Sequence, residues 1–382
     1  MSGAHSDVRF PAAWTGLRVV LGHDWLTGLR GGERVLELLA RAFPEAPIVT
    51  LLYNPVALPP TLRGRAILAS PLQRLPAVHR YYRRLLPLFP AAVAALRAPP
   101  ADLLLTTSHC AIKALRPPPG AVHLCYCFTP MRYIWTFPDE YLGRAGRTVL
   151  APLLGALRHW DRATAARVDR FVTLSRHVRE RIWDCYERDT DVVHPPVRLD
   201  FFTPGPAVGA PAGAYDLVVA ALVPYKRVDL AVRLYSRTGR SLWIVGDGSE
   251  ERALRRIAGP SVRFLARVGD DELRDLYRGC RCLVFPGEED FGLAPVEAQA
   301  CGRPVVAYAR GGAAESVVDG ETGVLFQPQT EEALAAALER FERMRFDAAV
   351  LRRNAERFGP QPFVDGLGRA IADCLALRRT GS

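Results

Sequence analysis

From Leu17 the chain alternates short apolar runs with segments of helical period. Leu17–Gly22 is an apolar run, Thr27–Gly32 supplies a glycine-bearing turn, and Glu33–Phe43 sets Val35, Leu39 and Ala42/Phe43 at the spacing of one helix face. Leu103–Thr107, Val122–Cys127 and Arg170–Leu174 read as further strands between helical stretches. Val192–Pro206, with Pro195, Pro196, Pro204 and Pro206, breaks the rhythm and runs on through Gly209–Gly213, so it is taken as the interdomain linker. A second alternation follows, with Leu217–Leu222, Ser241–Val245, Val262–Leu265, Cys282–Phe285, Pro304–Tyr308 and Gly323–Phe326 as its strands. Successive βα units demand a parallel sheet covered on both faces, with ligands beyond the strands' carboxyl ends. The expected fold class is α/β, two Rossmann-like domains facing an interdomain cleft.

Charge and cysteine content narrow the picture. The net charge of +10 lies entirely in the first half: residues 1–205 hold 26 Lys/Arg against 16 Asp/Glu, and residues 206–382 hold 24 of each. Between Glu45 and Asp102 there is no acidic residue, while Arg63, Arg65, Arg74, Arg80, Arg83, Arg84 and Arg97 all fall there among Tyr81, Tyr82, Leu85, Leu86, Leu88 and Phe89. That mixture reads either as a solvated helix face or as a face lying on an anionic bilayer; a nucleic-acid partner is not expected. The eight cysteines show neither C-x-x-C pairs nor zinc-type spacing, and read as buried reduced thiols. No apolar run is long enough for a membrane helix and Met1–Thr15 lacks a signal-peptide layout, so the expected place is the cytoplasm, possible membrane contact being at its inner face.

The most specific string is Gly287-Glu288-Glu289-Asp290-Phe291-Gly292-Leu293-Ala294-Pro295-Val296-Glu297. It follows one strand and opens a helix, so the backbone N–H groups at Phe291, Gly292 and Leu293 lie near a positive helix end suited to a diphosphate or to sugar hydroxyls. Glu289 in the loop and Glu297 two turns into the helix can bond different hydroxyls of one extended ligand. Gly31 and Gly32 precede another helix, where the lack of side chains lets backbone approach phosphate or acceptor. Two other patterns are discounted. Asp189-Thr190-Asp191 spells a metal-type D-x-D but abuts the linker, and Gly246-Asp247-Gly248 lacks the third glycine of a dinucleotide fingerprint because Glu251 stands there.

Together these strings resemble the E-x7-E motif and its companions in the retaining glycosyltransferases of family 4, which have the GT-B fold. Val223-Pro224-Tyr225-Lys226-Arg227, Val245-Gly246-Asp247-Gly248, Phe264-Leu265-Ala266-Arg267-Val268, Gly311-Gly312-Ala313-Ala314-Glu315 and Asp319-Gly320-Glu321-Thr322-Gly323 stand in family order, and the likeness runs from about Val19 to Phe363. The resemblance implies an N-terminal acceptor-binding domain at 1–200, a nucleotide-sugar-binding domain at 201–362, and a final helix in 363–382 crossing back to the first domain. It implies that Glu289 holds donor-sugar hydroxyls, Glu297 the ribose, and Lys226, with Arg227, the departing diphosphate, whose growing negative charge needs a cation. Arg267 and Val268 fall where the family meets the base, and Glu315 supports the loop beside the sugar. No metal or other cofactor is required. The partners are a nucleotide diphosphate sugar and a glycan, lipid-linked or small-molecule acceptor.

Gly22-His23-Asp24-Trp25-Leu26-Thr27-Gly28-Leu29-Arg30-Gly31-Gly32-Glu33-Arg34 is similar to the family's first glycine loop. Ser108-His109-Cys110 and Cys125-Tyr126-Cys127-Phe128-Thr129-Pro130-Met131-Arg132-Tyr133 resemble the bacterial mannosyltransferases of O-antigen and exopolysaccharide assembly, which makes GDP-mannose the expected donor. Asp24, His109, Phe128 and Arg132 are the acceptor-side candidates; His109 reads equally as a packed histidine and Arg132 as an ion-pair partner. Two positions depart from the pattern. Phe128 stands where the subgroup has a His that reaches the donor sugar, which opens the site to 6-deoxy or pentose donors, and Ala221 stands where an Arg often partners the lysine. A lapsed nucleotide-sugar-binding protein and a nucleotide-sugar epimerase are the rival readings.

Overall fold

The computed structural model describes residues 8–29, 31–136, 143, 147–206 and 213–380. Arg30 of the glycine loop and residues 207–212 of the linker fall outside them. The chain forms two compact units. One is Arg9–Val193 together with the chain from Val364 onward, and the other runs through His194–Phe363.

The first unit is built on seven parallel strands: β1 (Val19–Leu26), β2 (Ile48–Tyr53), β3 (Ile67–Ala69), β4 (Leu103–Ser108), β5 (Val122–Cys127), β6 (Arg170–Thr173) and β7 (Thr190–Val192), in the order β3-β2-β1-β4-β5-β6-β7. All eight residues of β1 are buried, as expected of a central parallel strand with both faces covered. The strand outruns its expected end at Gly22 by four residues because the polar side chains of His23 and Asp24 find partners on the neighbouring strand and loop. Gly22 permits close approach to β4: a Cβ there would lie 2.7 Å from Thr106 Cγ2. The helix Gly31–Ala42 buries Val35, Leu36, Leu38 and Leu39, and its carboxyl end is closed by Arg65, whose guanidinium bonds the carbonyls of Ala40, Phe43 and Pro44.

The Arg-rich segment is not the amphipathic helix face the sequence suggested. Pro55, Pro60 and Pro71 each open a 3-10 turn on either side of β3, Pro87 lies inside a further 3-10 stretch, and only Phe89–Ala94 closes a short α-helix. Asp191 of the D-x-D string lies on the edge strand β7, paired with Arg170, while Asp189 accepts the Thr190 amide. The final helix, Pro360–Thr380, belongs to this unit from Val364, with Gly366 against Val193 and Asp373 3.1 Å from Arg170.

The second unit has six parallel strands: β8 (Asp216–Val219), β9 (Leu242–Val245), β10 (Val262–Leu265), β11 (Leu283–Phe285), β12 (Val305–Tyr308) and β13 (Gly323–Phe326), ordered β10-β9-β8-β11-β12-β13. The base of β8 is tied by Asp216, which is buried and accepts two Arg281 N–H groups at 2.8 and 2.6 Å as well as the Tyr235 hydroxyl. The eight cysteines are all free and buried. Among the described residues no helix is long and apolar enough to cross a membrane.

Candidate functional site

In the second unit the strand order reverses between β8 and β11, and the loops leaving their carboxyl ends carry Lys226 and Glu289. A crevice at such a reversal is where parallel α/β sheets take ligands. Lys226 Nζ and Glu289 Oε1 form an ion pair, both side chains being largely shielded from solvent, and the ammonium lies 5.1 Å from the centre of the Tyr225 ring. Glycine contacts hold the loops together. A Cβ on Gly287 would come within 2.7 Å of Lys226 Cα and its carbonyl oxygen, and one on Gly311 within 2.3 Å of the Glu289 carbonyl oxygen, which also accepts the Gly312 amide at 2.8 Å. Gly311 has φ 71°, a left-handed conformation that favours glycine. Backbone contacts of this closeness fix the two loops that carry the carboxylate and the ammonium relative to one another.

The other candidate residues of this unit lie on its helices and on the loops after its strands. Glu297 sits on the helix Leu293–Ala300, whose first turn follows Gly292 at φ 79°. Its carboxylate accepts the Tyr277 hydroxyl at 2.9 Å. Tyr277 is wholly buried on the helix Asp270–Gly279, and burial, with Glu297 beside it, pushes the phenol well above its usual range, so it stays a donor that orients Glu297. Sequence reasoning missed Tyr277, since a tyrosine on an amphipathic helix looks like core. Phe291 is buried, its ring packed with those of His194 and Phe358 and its backbone against Gly312. Glu315 lies in the short helix after Gly312 with His194 Nε2 at 3.9 Å. Arg227, also left-handed at φ 49°, is held by Asp229 at 3.1 Å rather than turned to Lys226, and Ala221 is exposed. Arg267 is exposed and Val268 half-buried in the loop after β10. Gly246 and Gly248 are explained by packing: Cβ atoms there would lie 1.9 and 2.2 Å from the carbonyl oxygens of Ala220 and Leu222.

In the first unit the corresponding reversal is between β1 and β4, and the structure reassigns one candidate. Asp24 is wholly buried, and its two oxygens accept the backbone N–H groups of His109, Cys110, Ala111 and Ile112 at 2.7 to 2.9 Å. Ser108 Oγ adds a fifth contact at 3.3 Å. A carboxylate saturated this way shapes the loop after β4; it has no capacity left for a ligand. His109 stands edge-on to Trp25, ring centres 4.5 Å apart, with Nδ1 3.3 Å from Asp24. Phe128 is half-buried after β5, bordered by Gly32, His23 and His109. Arg132 is half-buried in the turn that follows Met131. Among the described residues no cluster of three or more His, Cys, Asp or Glu side chains could hold a metal ion.

Comparison with known proteins places this geometry. Residues 213–358 match the family described as Glycosyl transferases group 1. The D-inositol 3-phosphate glycosyltransferase of Mycobacteroides abscessus is 35% identical over 240 residues, covering 55% of this chain and 54% of that protein, and its namesake from Acidothermus cellulolyticus is 32% identical over 250 residues, covering 57% and 56%. The chain thus spans about half the length of the curated relatives it matches. Among solved structures, sucrose-phosphate synthase of Thermosynechococcus elongatus superposes with a TM-score of 0.67 at 20% identity, over 94% of this chain and 100% of that one. Anabaena HepE in complex with UDP and glucose gives 0.65 at 17%, over 94% and 99%. These likenesses show the fold, the two Rossmann-like domains of the GT-B class.

Proposed function

We propose, for a chain whose residues 213–358 belong to the group 1 glycosyl transferases, that it is a family 4 enzyme transferring a sugar with retention from a nucleotide diphosphate sugar to an acceptor hydroxyl. The observation that carries this is the Lys226–Glu289 pair at the β8/β11 reversal, backed by Glu297 on the next helix. Lys226 is positioned to neutralise the leaving diphosphate, and that phosphate accepts the acceptor's proton on the same face of the sugar. Glu289 and Glu297 hold sugar and ribose hydroxyls. GDP-mannose is the first donor to test. The names of the relatives and neighbours put UDP-sugars in the same panel, and D-inositol 3-phosphate beside glycan and lipid-linked acceptors.

Incubation with donor alone, in the presence of EDTA, tests the reading, after thermal shift has selected the donor that raises the melting temperature. Slow hydrolysis supports the transferase. A new epimer identifies an epimerase, and binding without turnover a lapsed enzyme.

Donor choice follows from Phe128. An apolar wall discriminates weakly against an added hydroxyl, whereas a polar site left without its partner rejects strongly. We expect 6-deoxy or pentose donors to be used at least as well as GDP-mannose, and Phe128→His to shift preference toward the hexose. The ratio of kcat/KM for mannose and 6-deoxy donors decides; an unchanged ratio in the variant removes Phe128 from the donor site.

The Arg-rich segment is proposed to contact an anionic membrane surface. Arg65 is occupied in capping a helix, but Arg74, Arg80, Arg83 and Arg84 are exposed beside Leu75 and Leu88, themselves 38% and 49% exposed. Each basic side chain at such a surface contributes about 1 kcal/mol, screened within a Debye length. Sedimentation with phosphatidylglycerol vesicles at low salt should exceed that with phosphatidylcholine and fall as salt is added. Equal sedimentation with both would remove the membrane from the proposal.

A further inference from the structure

His23 lies wholly buried on β1, three residues before the end of the strand that leads into the glycine loop. Its Nδ1 is 2.8 Å from Thr107 Oγ1, and that same hydroxyl is 3.0 Å from the carbonyl oxygen of Gly22. A carbonyl oxygen can only accept, so the single hydroxyl hydrogen goes to Gly22 and the Thr107 oxygen is left to accept from the imidazole. The ring is therefore fixed as the Nδ1–H tautomer, and Nε2 presents a lone pair. Among the described residues no protein group bonds that nitrogen. Burial, reinforced by His109, pushes the imidazolium down to about 3, so the lone pair is present throughout the neutral range.

What the ring edge faces gives the nitrogen its use. A Cβ placed on Gly32 would lie 3.5 Å from His23 Cε1 and 3.3 Å from Phe128 Cε2, so the first turn of the helix packs against that edge with no side chain between them. Gly32 belongs to the first turn of the twelve-residue helix Gly31–Ala42, whose leading N–H groups have no partner within the helix. Phe128 and His109, both half-buried, stand 6.4 and 6.3 Å from the His23 ring centre and border the approach. An acceptor nitrogen beside a row of donors suits a molecule that offers hydroxyl hydrogens to the one and oxygen atoms to the other. A bare anion offers only the second.

We infer that His23 Nε2 accepts a hydrogen bond from a hydroxyl of a polyol seated against the first turn of the Gly31–Ala42 helix. This rests on the transferase reading, in which that polyol is the sugar acceptor, and makes His23 an acceptor-binding residue that orients a hydroxyl without taking its proton.

The test uses the full chain with 15N-labelled histidine, observed before and after addition of D-inositol 3-phosphate, mannose, glycerol and, as an anion without hydroxyl hydrogens, sulfate. The free chain should show a pyridine-type Nε2 resonance for His23. At least one hydroxylated probe should move it upfield while sulfate leaves it in place. His23→Asn keeps an amide that can donate to Thr107 but has nothing at the Nε2 position; it should melt close to wild type and bind the same probe about five- to tenfold more weakly, the loss of one neutral hydrogen bond. An N–H-type Nε2, silence with all three hydroxylated probes, movement by sulfate alone, or unweakened binding by His23→Asn each overturns the inference; if the variant does not fold, the wild-type resonances decide. Turnover of a nucleotide sugar beside an unresponsive His23 sinks this inference alone. A responding His23 in a chain that never turns over a donor sinks the transferase reading instead.

Discussion

Lys226→Ala and Glu289→Ala should each lower transfer by about 10²- to 10³-fold, the usual cost of one preorganised group aimed at charge that develops in the transition state. The two side chains form an ion pair on adjoining loops, so each substitution also frees the other. With Lys226 gone, Glu289 stands unneutralised next to an incoming diphosphate and the donor KM rises as kcat falls. With Glu289 gone, Lys226 remains to meet the phosphate, so donor affinity is kept better than kcat. The two variants thus differ in KM while both lose kcat, a rise for Lys226→Ala and little change for Glu289→Ala, which a general disturbance of the loop would not produce. Neither change should unfold the protein: the loop is held by backbone contacts at Gly287, Gly311 and Gly312, which both variants keep. Turnover within threefold of wild type in either variant would remove the pair from the chemistry.

The donor-side loop was legible in the sequence because its requirements are local. A strand of Leu283, Val284 and Phe285, a glycine where two backbones touch, and an acid on each side of a helix start all leave marks at fixed spacing. Tyr277 left none, since its contact with Glu297 joins two helices and only the folded chain brings them together. The segment after Pro55 read as a helix face because its apolar and basic residues fall at mixed spacings; the prolines that divide it into 3-10 turns were visible and outweigh the periodicity. In the glycine loop the sequence pointed to the right place and the wrong atom. Asp24 had the look of a ligand group and is consumed by the fold, whereas His23, unremarked beside it, keeps a nitrogen without a hydrogen-bond partner among the described residues.

Asp24→Ala should therefore be a stability variant first. Removing the carboxylate leaves the amides of His109, Cys110, Ala111 and Ile112 without their acceptor, and three of those four residues are buried too deeply for water to replace it. A buried donor left unsatisfied costs about 1–3 kcal/mol, so the loss is on the order of 4 kcal/mol or more, a large part of the 5–15 kcal/mol that holds a typical domain folded. In a unit of this size each kcal/mol lowers the melting temperature by roughly 2–4 °C, so the expected fall is on the order of 10 °C. Asp24→Asn retains one acceptor oxygen but sets an NH2 group against the amides the other oxygen served, and should lose about as much again as it keeps. Urea denaturation of the unliganded chain separates this role from substrate binding, because a group that contacts only the acceptor would change KM and leave the unfolding midpoint where it was. A midpoint for Asp24→Ala within experimental error of wild type, together with a raised acceptor KM, would return Asp24 to the acceptor site and show that the loop after β4 holds its shape without it.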